Sequence, residues 1–512
     1  MTPEHLAATL ALLGIVILVA SLLSGAAERS GIPEAAVFLL LGALVGPAGL
    51  GLVRLTLRSP ALQIIATLGL VLVLFSDAIS VDARALRRRF GLALAVLGPG
   101  TLVPAALTAA AGWLLLGLSP LEAVILGAVL ASTDPVLVRP LLRGAGLPGD
   151  ARLALRLESG ANDLLLLPIV VLATLALGRG SPGAPDLARH AVGLLLLGPA
   201  LGVAVGSAAI LLLERVRART GVRRDYESLY ALGVAFTAYA AAEAVGGSGF
   251  LAAFAAGAVI AALDVELCEC FVDYGAATAE MFLLLAFVAF GGSLIWSGVE
   301  AADGRALAFA AVALLGRTAV LLPVLPRAGL DRESVRIVAW AGPRGLSSLL
   351  LALLPVFAGL PGAERLFALT CLVVLLSLAI HGTGMALYRR ARARRVGAGA
   401  PGPAGAVPAA AAVPASVPAA SPVPEHPAPS DPTAAPAAAV PADGAERITL
   451  AELRRLWEEG RPVVVADVRT ERSLEADPLV ARGAVRLPPD DAVRRAEELR
   501  LPRDAPLVLF CA

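Results

Sequence analysis

Long apolar runs recur along the chain from its beginning to about residue 390. A helix needs roughly 20 apolar residues to cross the 30 Å hydrocarbon core of a bilayer, and about thirteen runs approach this length. They lie at about 6–24, 34–52, 61–79, 92–116, 121–138, 155–177, 189–213, 226–245, 248–264, 275–297, 304–325, 334–355 and 365–388. The weakest boundary is the tight Gly246-Gly247 break between the eighth and ninth runs. The pattern predicts an all-α polytopic membrane protein.

The composition supports a membrane protein and disfavours other classes. Hydrophobic residues make up 58% of the 512, and the mean hydropathy is +0.80, which is unusual for a soluble protein of this size. The formal net charge of +1 gives no bulk attraction for nucleic acid. Four cysteines do not imply a disulfide framework. No cofactor and no nucleic acid partner are expected, and the lipid bilayer is the expected surrounding.

The distribution of arginine predicts how the chain crosses the membrane. One set of alternate loops carries most of the arginines, at 84–89, 139–156, 215–224, 327–336 and 389–395. Loops rich in arginine usually face the cytoplasm. We therefore expect a multi-pass protein of the plasma membrane with its N-terminus outside and its C-terminus in the cytoplasm.

Composition shifts divide the chain into three predicted parts. Residues 1–390 form the transmembrane domain, and residues 391–446 form a linker that is rich in proline and alanine and cannot build a core. A soluble pattern resumes at 447–512. Within it, the apolar runs Val463–Val468 and Leu507–Phe510 predict buried parallel strands, and hence a small α/β piece.

Three carboxylates are expected at membrane depth in the fifth and sixth predicted helices, namely Asp134, Glu158 and Asp163. An ionised side chain at the bilayer centre costs roughly 2.5–3.5 kcal/mol, so such residues mark ion or substrate pathways. Ser159 and Asp163 are four residues apart and share a helix face, where a hydroxyl and a carboxylate suit a small cation. Glu158 and Asn162 form a second pair on an adjacent face, which suits structural polar contacts.

Two of the predicted helices carry interruptions. Pro135 disfavours helical geometry at Asp134 and predicts local unwinding at Thr133-Asp134. The twelfth predicted helix contains the break Gly342–Gly345. If helices 1–6 and 8–13 are repeats, the two interruptions occupy corresponding places, which is the best sequence indication of a transporter site.

Charge balance suggests a division of roles among the acids. Arg344 would also lie at membrane depth and needs an anion, for which Glu158 is the natural candidate. Asp134 and Asp163 would then remain for an ion. Alternatives stay open: either proline alone could mark a simple kink, and Asp134 could lie near a helix end. Three further charged residues in apolar runs suit packing or interfacial roles at least as well as ion handling, namely Glu243, Glu280 and Arg317.

Four motifs, in this order, resemble the monovalent cation:proton antiporter-1 group, the NhaP-like sodium/proton antiporters. They are Thr133-Asp134-Pro135, Glu158-Ser159 with Asn162-Asp163, Gly247-Ser248-Gly249-Phe250-Leu251, and Trp340-Ala341-Gly342-Pro343-Arg344-Gly345. The resemblance covers about residues 1–390. It implies an NhaA-like antiporter fold with thirteen helices, inverted repeats, a core domain, a dimerisation domain and two broken helices that cross. It also implies a homodimer.

The resemblance further implies roles for individual residues. The transported cation would be bound by Asp163 and Asp134, with help from Ser159 and the carbonyl of Thr133. The core would be held together by Glu158, Asn162 and Arg344. An asparagine before Asp163 resembles the electroneutral branch, which exchanges one cation for one proton. Asp77 is a further candidate, because the third helix of the family often carries an acid, although here the register is shifted.

The expected function is secondary active transport and not enzyme catalysis. A carboxylate in a low-dielectric site binds either a proton or a cation, so the two compete for it. Alternating access would move the site between the two sides of the membrane. We expect exchange of Na⁺, with Li⁺ or K⁺ as alternatives, for H⁺, in the service of pH homeostasis.

The C-terminal residues 447–512 resemble the first part of a rhodanese-like domain. The matching segments are Ile448-Thr449-Leu450, Val465–Arg469, Arg482–Pro488 and Leu509-Phe510-Cys511. Cys511 takes the place of the sulfur-carrying cysteine. The alternative function is therefore a membrane-tethered sulfurtransferase or a sulfur-sensing regulator. Anchoring needs one helix and not many with buried acids, which favours transport. Cys268-Glu269-Cys270 is a weak metal-binding pattern that a plain acidic loop explains as well.

Overall fold

A computed structural model describes most of the predicted transmembrane part and short pieces of the C-terminal part. The described residues are 34–47, 49–52, 55–80, 89–134, 137–138, 141–142, 147–178, 191–220, 224–263, 281–282, 284–384, 463–468, 484–487, 495–496, 498–499, 501 and 507–510, with single residues at 14, 18, 22 and 453. The chain divides into two compact units, Met1–Ala406 and Val407–Ala512.

The described residues of the first unit are mostly helical. Its α-helices are α1 (Glu34–Val45), α2 (Pro60–Ser80), α3 (Phe90–Leu97), α4 (Val103–Leu116), α5 (Pro120–Ala131), α6 (Gly149–Gly178), α7 (Gly198–Thr220), α8 (Arg224–Ala244), α9 (Gly249–Ala262), α10 (Ser297–Glu300), α11 (Gly304–Arg327), α12 (Arg332–Trp340), α13 (Leu346–Phe357) and α14 (Ala363–Ser377). Short π-helical segments occur at Gly98–Leu102, Gly193–Leu197 and Leu378–Gly382, and a 3₁₀ turn occurs at Leu294–Trp296.

Six helical segments among the described residues are long and apolar enough to cross a membrane, and five shorter apolar helices accompany them. Many large apolar side chains on the outer faces are exposed, such as Leu107, Leu114 and Leu211. An exposed apolar surface of this extent is typical of a protein that contacts lipid. These findings confirm a polytopic membrane protein. The total of about thirteen helices stays a prediction, because several predicted spans fall partly outside the described residues.

Local sequence explains where several of these helices begin and end. Ser119 and Glu122 form a reciprocal capping box at the start of α5, and Pro120 occupies its first position. The weak boundary between the eighth and ninth predicted helices is confirmed. There α8 ends before a turn in which Gly246 has φ of +78°, and the Ser248 side chain caps α9.

Two groups of helices pack within this unit. One comprises α4, α5, α6 and α11 to α14, and the other comprises α2, α7, α8 and α9. Glycine allows the closest approach in the second group. At Gly202 on α7, a β-carbon would overlap the backbone of Ala252 on α9. Small residues at helix contacts are the usual means of tight packing between membrane helices.

Both predicted interruptions are present. Helix α5 ends at Ala131, and residues 132–134 are not helical. Pro135, which predicts this break, lies outside the described residues. Helix α12 ends at Trp340, residues 341–345 are not helical, and α13 begins at Leu346. The two breaks lie between half-helices in the first group of helices.

The second unit contains a three-stranded parallel sheet with the order β2-β1-β3. The strands are β1 (Val464–Asp467), β2 (Val485–Arg486) and β3 (Leu507–Phe510). The prediction of two parallel strands is confirmed, and β1 is largely buried. The prediction that β3 is buried is wrong for Leu507 and Leu509, which are 50% and 57% exposed. Within the described sheet, β3 is an edge strand, and one of its faces is not covered.

Candidate functional site

The two breaks lie against each other, and Asp134 makes the central contacts. Its backbone N–H donates to the carbonyl of Pro343 at 3.0 Å. The backbone N–H of Leu346 donates to Asp134 Oδ2 at 2.6 Å. Leu346 is the first residue of α13, and the first N–H groups of a helix lack intrahelical partners and carry partial positive charge. The carboxylate of Asp134 therefore caps the N-terminus of the half-helix α13.

Gly345 makes this approach possible. A β-carbon at Gly345 would overlap the carboxylate of Asp134. Glycine is thus required because the backbone of the second break passes directly beside an acid of the first break.

Arg344 caps the C-terminal end of α5. Its Nη1 donates to the carbonyls of Ala131 at 2.7 Å and Ser132 at 3.2 Å. Its backbone N–H donates to Ser377 Oγ on α14 at 2.7 Å. The last carbonyls of a helix lack intrahelical donors and carry partial negative charge, so a guanidinium there is favourable. The two breaks therefore place the carboxylate of Asp134 at a helix N-terminus and the guanidinium of Arg344 at a helix C-terminus.

Glu158 on α6 pairs with Arg317 on α11, and the expectation that Arg344 neutralises Glu158 is wrong. Arg317 Nε and Nη2 donate to the two carboxylate oxygens of Glu158 at 2.6 and 2.5 Å. The side chains of Arg317 and Glu158 are 3% and 5% exposed, so water screens the pair very little. The physical reason is geometric. Arg317 presents its planar fork to the carboxylate, whereas the guanidinium of Arg344 is directed to the carbonyls of α5.

Arg317 also serves the second break. Its Nη1 donates to the carbonyl of Ala339 at 2.9 Å, and Thr318 Oγ1 donates to the same oxygen at 2.9 Å. Ala339 lies in the last turn of α12. The C-terminal ends of both half-helices, α5 and α12, are therefore capped by buried guanidinium groups.

Asp163 lies five residues after Glu158 on α6 and is also buried. Ser132 Oγ donates to Asp163 Oδ1 at 2.7 Å. Among the residues that the structure describes, Asp163 forms no ion pair with an arginine. Its charge therefore has a hydroxyl donor and no fixed counter-ion in this part of the chain.

The other predicted site residues lie around these acids. Asn162 Nδ2 donates to Thr133 Oγ1 at 2.8 Å, which ties α6 to the first break. Ser159 Oγ donates to the carbonyl of Leu155, four residues earlier, at 2.9 Å. Asp77 lies half-buried near the end of α2. The predicted ligands are thus gathered on α6 and the first break, apart from Asp77.

Sequence reasoning missed two residues of this region. Ser132 carried no signal beyond its place before the predicted ligands. Arg317 did carry one, because an arginine in an apolar run requires an anion, but the sequence left its role open. Cys511, Cys268 and Cys270 lie outside the described residues, so the sulfur and metal hypotheses stay predictions.

Comparison with known proteins shows which family the chain resembles. Residues 14–389 match the family model for the sodium/hydrogen exchanger, transmembrane. The K(+)/H(+) antiporter NhaP2 of Shewanella sp. (strain MR-4) is 28% identical over 379 residues, which are 73% of this chain and 65% of that protein. The K(+)/H(+) antiporter NhaP of Alkalimonas amylolytica is 28% identical over 387 residues, 74% of this chain and 66% of that protein. This chain thus spans about 65% of the length of these relatives.

The fold has a counterpart among solved structures. The sodium proton antiporter MjNhaP1 of Methanocaldococcus jannaschii aligns with a TM-score of 0.61 at 20% identity, covering 75% of this chain and 98% of that chain. At this identity the match shows the fold alone. The family is shown by the match over residues 14–389. The chain belongs to the family of the sodium/hydrogen exchanger, transmembrane.

Proposed function

We propose that this protein exchanges one monovalent cation for one proton by alternating access, with Asp163 and Asp134 as the shared binding site. The observation that carries the proposal is the contrast on α6. Glu158 has a buried arginine as a fixed counter-ion, whereas Asp163 has a hydroxyl donor and no ion pair among the described residues. A buried carboxylate without a counter-ion is stable when it holds a proton or a cation.

Competition between these two cargoes gives exchange. When Asp163 releases its proton, the resulting charge favours a cation, and the arrival of a proton expels that cation. Asp134 lies beside it at the crossing, where Leu346 N–H already occupies one of its oxygens. Two neighbouring acids titrate as a coupled pair, so the competition belongs to the site as a whole.

Further oxygen ligands and structural contacts complete the proposed site. Ser159 and the carbonyl of Thr133 are the proposed additional ligands, since hard cations prefer oxygen. The structural contacts come from Glu158, Asn162 and Arg344. Asp77 on α2 is a candidate for a more distant acid on the ion pathway.

The cation itself is part of the proposal. The family resemblance suggests Na⁺, and the names of the curated relatives contain K⁺. We propose that Na⁺ or K⁺ is the physiological cargo, with Li⁺ as a possible substitute. The proposed setting is a homodimer in the plasma membrane with a cytoplasmic C-terminus, which extrudes the cation from the cytoplasm at the expense of the proton gradient.

Proton flux in everted membrane vesicles tests the exchange. Na⁺, Li⁺ and K⁺ salts are added in turn across a pH series, and a pH-sensitive dye reports proton release. The wild-type protein should show release with at least one cation, and Asp163→Asn should show none. Asp303→Asn is a matched control, because Asp303 caps α11 and asparagine caps equally well. Normal exchange in Asp163→Asn, or no exchange by the wild-type protein, would contradict the proposal.

Electroneutrality is tested separately in proteoliposomes. An imposed membrane potential drives any cycle that moves net charge. The rate of one-for-one exchange should not change when the potential is reversed by a potassium gradient and valinomycin, with Na⁺ as the cargo. A rate that follows the potential would show a different stoichiometry.

A further inference from the structure

We propose that the hydroxyl of Ser132 is a direct ligand of the transported cation and helps to determine which cation is preferred. The inference rests on the proposed function, because it takes Asp163 as the site of cargo binding. Ser132 is not among the ligands that the family resemblance implies. Its assignment comes from its position in the crossing.

Ser132 lies between the end of α5, the second break and α13. It follows the last residue of α5, is 0% exposed, and has extended backbone geometry with φ of −62° and ψ of 131°. Its carbonyl accepts from Arg344 Nη1 at 3.2 Å and from Ser348 Oγ at 3.3 Å. Because the backbone is fixed from the side of the second break, only the hydroxyl is free to reorient.

That hydroxyl is aimed at Asp163. Ser132 Oγ lies 2.7 Å from Asp163 Oδ1, within the range of a strong charge-assisted hydrogen bond. The hydroxyls of Ser159 and Thr133 form hydrogen bonds with other partners. Ser159 Oγ donates to the carbonyl of Leu155, and Thr133 Oγ1 accepts from Asn162. Of these three hydroxyls, Ser132 is the one in contact with the acid proposed to bind cargo.

Ser132 Oγ and Asp163 Oδ1 can form a hydrogen bond when the site is empty and can both bind the cation when it is present. A serine hydroxyl has one donor hydrogen and two lone pairs. Without a cation, the hydrogen points to Asp163 Oδ1. When a cation reaches that oxygen, the hydroxyl turns a lone pair toward it. Its hydrogen turns toward the last turn of α5, whose carbonyls lack helical donors, and serine commonly donates to the carbonyl four residues earlier, here Ala128.

The hydroxyl oxygen of Ser132 should contribute most to the binding of small cations. An ion of high charge density loses more when a hard oxygen ligand is removed than a larger ion does. Removing the hydroxyl should therefore weaken binding of Li⁺ and Na⁺ more than that of K⁺. Ser132 would then be a specificity-determining residue, and not only a contact that supports the fold.

The test compares Ser132→Ala and Ser132→Cys with the wild-type protein. Cysteine keeps most of the volume but is a poor ligand for hard cations. Thr174→Val is the matched control, because it removes a buried hydroxyl on the same helix as Asp163 that has no hydrogen-bond partner among the described residues. For each cation, the KM for exchange is measured in proteoliposomes. The temperature of unfolding with and without the cation gives a second readout.

Both Ser132 variants should raise the KM for Li⁺ and Na⁺ about tenfold, as expected for loss of one interaction with a charged group, and the KM for K⁺ by less. The maximal rate should stay within about twofold of wild type, and Thr174→Val should leave the KM unchanged. Cation-induced thermal stabilisation should fall in both Ser132 variants. The increase in KM should persist at alkaline pH, where protons no longer compete.

Three outcomes would overturn the inference. An unchanged KM in both variants would exclude Ser132 as a ligand while leaving the proposed function intact. An increase that disappears at alkaline pH would assign the hydroxyl to proton binding alone. If the wild-type protein neither exchanges nor is stabilised by any cation, the proposed function fails, and this inference fails with it.

Discussion

Glu158 and Asp163 lie five residues apart on α6, and both are buried, yet their surroundings differ. Glu158 accepts two hydrogen bonds from Arg317 on α11. Asp163 accepts one from the hydroxyl of Ser132. Burial alone therefore does not mark an exchange site. What separates the two acids is whether the fold supplies a permanent opposite charge.

The difference has opposite consequences for stability. A buried ion pair with good geometry recovers much of its desolvation cost, but either partner alone is an uncompensated charge in the interior. Asp163 has no such partner among the described residues, so losing its charge relieves the interior of a cost. We therefore expect removal of charge to damage the fold at Glu158 and to damage only transport at Asp163.

The largest effect is expected for Glu158→Gln. It leaves Arg317 charged and buried, and should lower the free energy of unfolding by about 3–5 kcal/mol. Thermal unfolding in detergent checks this, with Asp163→Asn as the matched variant that should unfold at or above the wild-type temperature. Equal destabilisation by the two variants would contradict the proposed difference between the two acids.

Removing both charges of the ion pair should restore much of the loss. The double variant Glu158→Gln with Arg317→Gln leaves no uncompensated charge, so it should be more stable than Glu158→Gln alone. A coupling free energy of about 1–3 kcal/mol is expected from the double-mutant cycle. Strict additivity of the two single effects would show that the pair does not act as a unit.

A smaller effect is expected at the two glycines of the second break, and it should divide between stability and transport. A β-carbon at Gly342 would overlap the guanidinium of Arg317, and one at Gly345 would overlap the carboxylate of Asp134. Each alanine variant should cost about 1–3 kcal/mol through overpacking. Gly345→Ala should in addition raise the KM for the cation, because it displaces an acid of the exchange site, whereas Gly342→Ala should not.

Gly69→Ala is the control for this pair. Its β-carbon would first meet Leu350 at 4.0 Å, which is an ordinary contact. It should leave both stability and KM near the wild-type values. Equal effects of Gly342→Ala and Gly345→Ala on KM would show that the two sides of the break are not separable.

The smallest effect is expected at the far end of α5. Ser119→Ala removes the capping box and should lower stability by about 1 kcal/mol. Because Ser119 is distant in sequence from the break at the other end of α5, the KM for the cation should change less than twofold. A larger change in KM would mean that stability and cation binding are coupled along the half-helix.

Local patterns in the sequence predicted the elements of this site but not all of its pairings. Pro135 and Gly342–Gly345 predicted the two breaks, and the apolar run of the sixth predicted helix predicted that Glu158, Asn162 and Asp163 share one helix. The partner of Glu158 could not be predicted, because two arginines, Arg317 and Arg344, lie in the interior of apolar runs and periodicity does not say which one faces α6. Arg317 is 159 residues away in sequence. Such a pairing depends on how helices pack.

The direction of the Ser132 side chain could not be predicted from the sequence either. The sequence placed a hydroxyl next to Thr133 and Asp134, but the direction of its side chain depends on the unwound backbone at the end of α5. A helical continuation would have turned it elsewhere. Exposure of Leu507 and Leu509 in the C-terminal sheet was missed for a related reason, since an apolar run does not say which face of a strand is covered.

The most direct test compares cation-dependent proton flux for two variants in the same proteoliposomes, Asp163→Asn and the double variant Glu158→Gln with Arg317→Gln. The first removes one charge and the second removes two. We expect no flux for Asp163→Asn although it is stably folded, and flux near the wild-type level for the folded fraction of the double variant. Flux by Asp163→Asn, together with none by the folded double variant, would place exchange at Glu158 and exclude Asp163 as the exchange site.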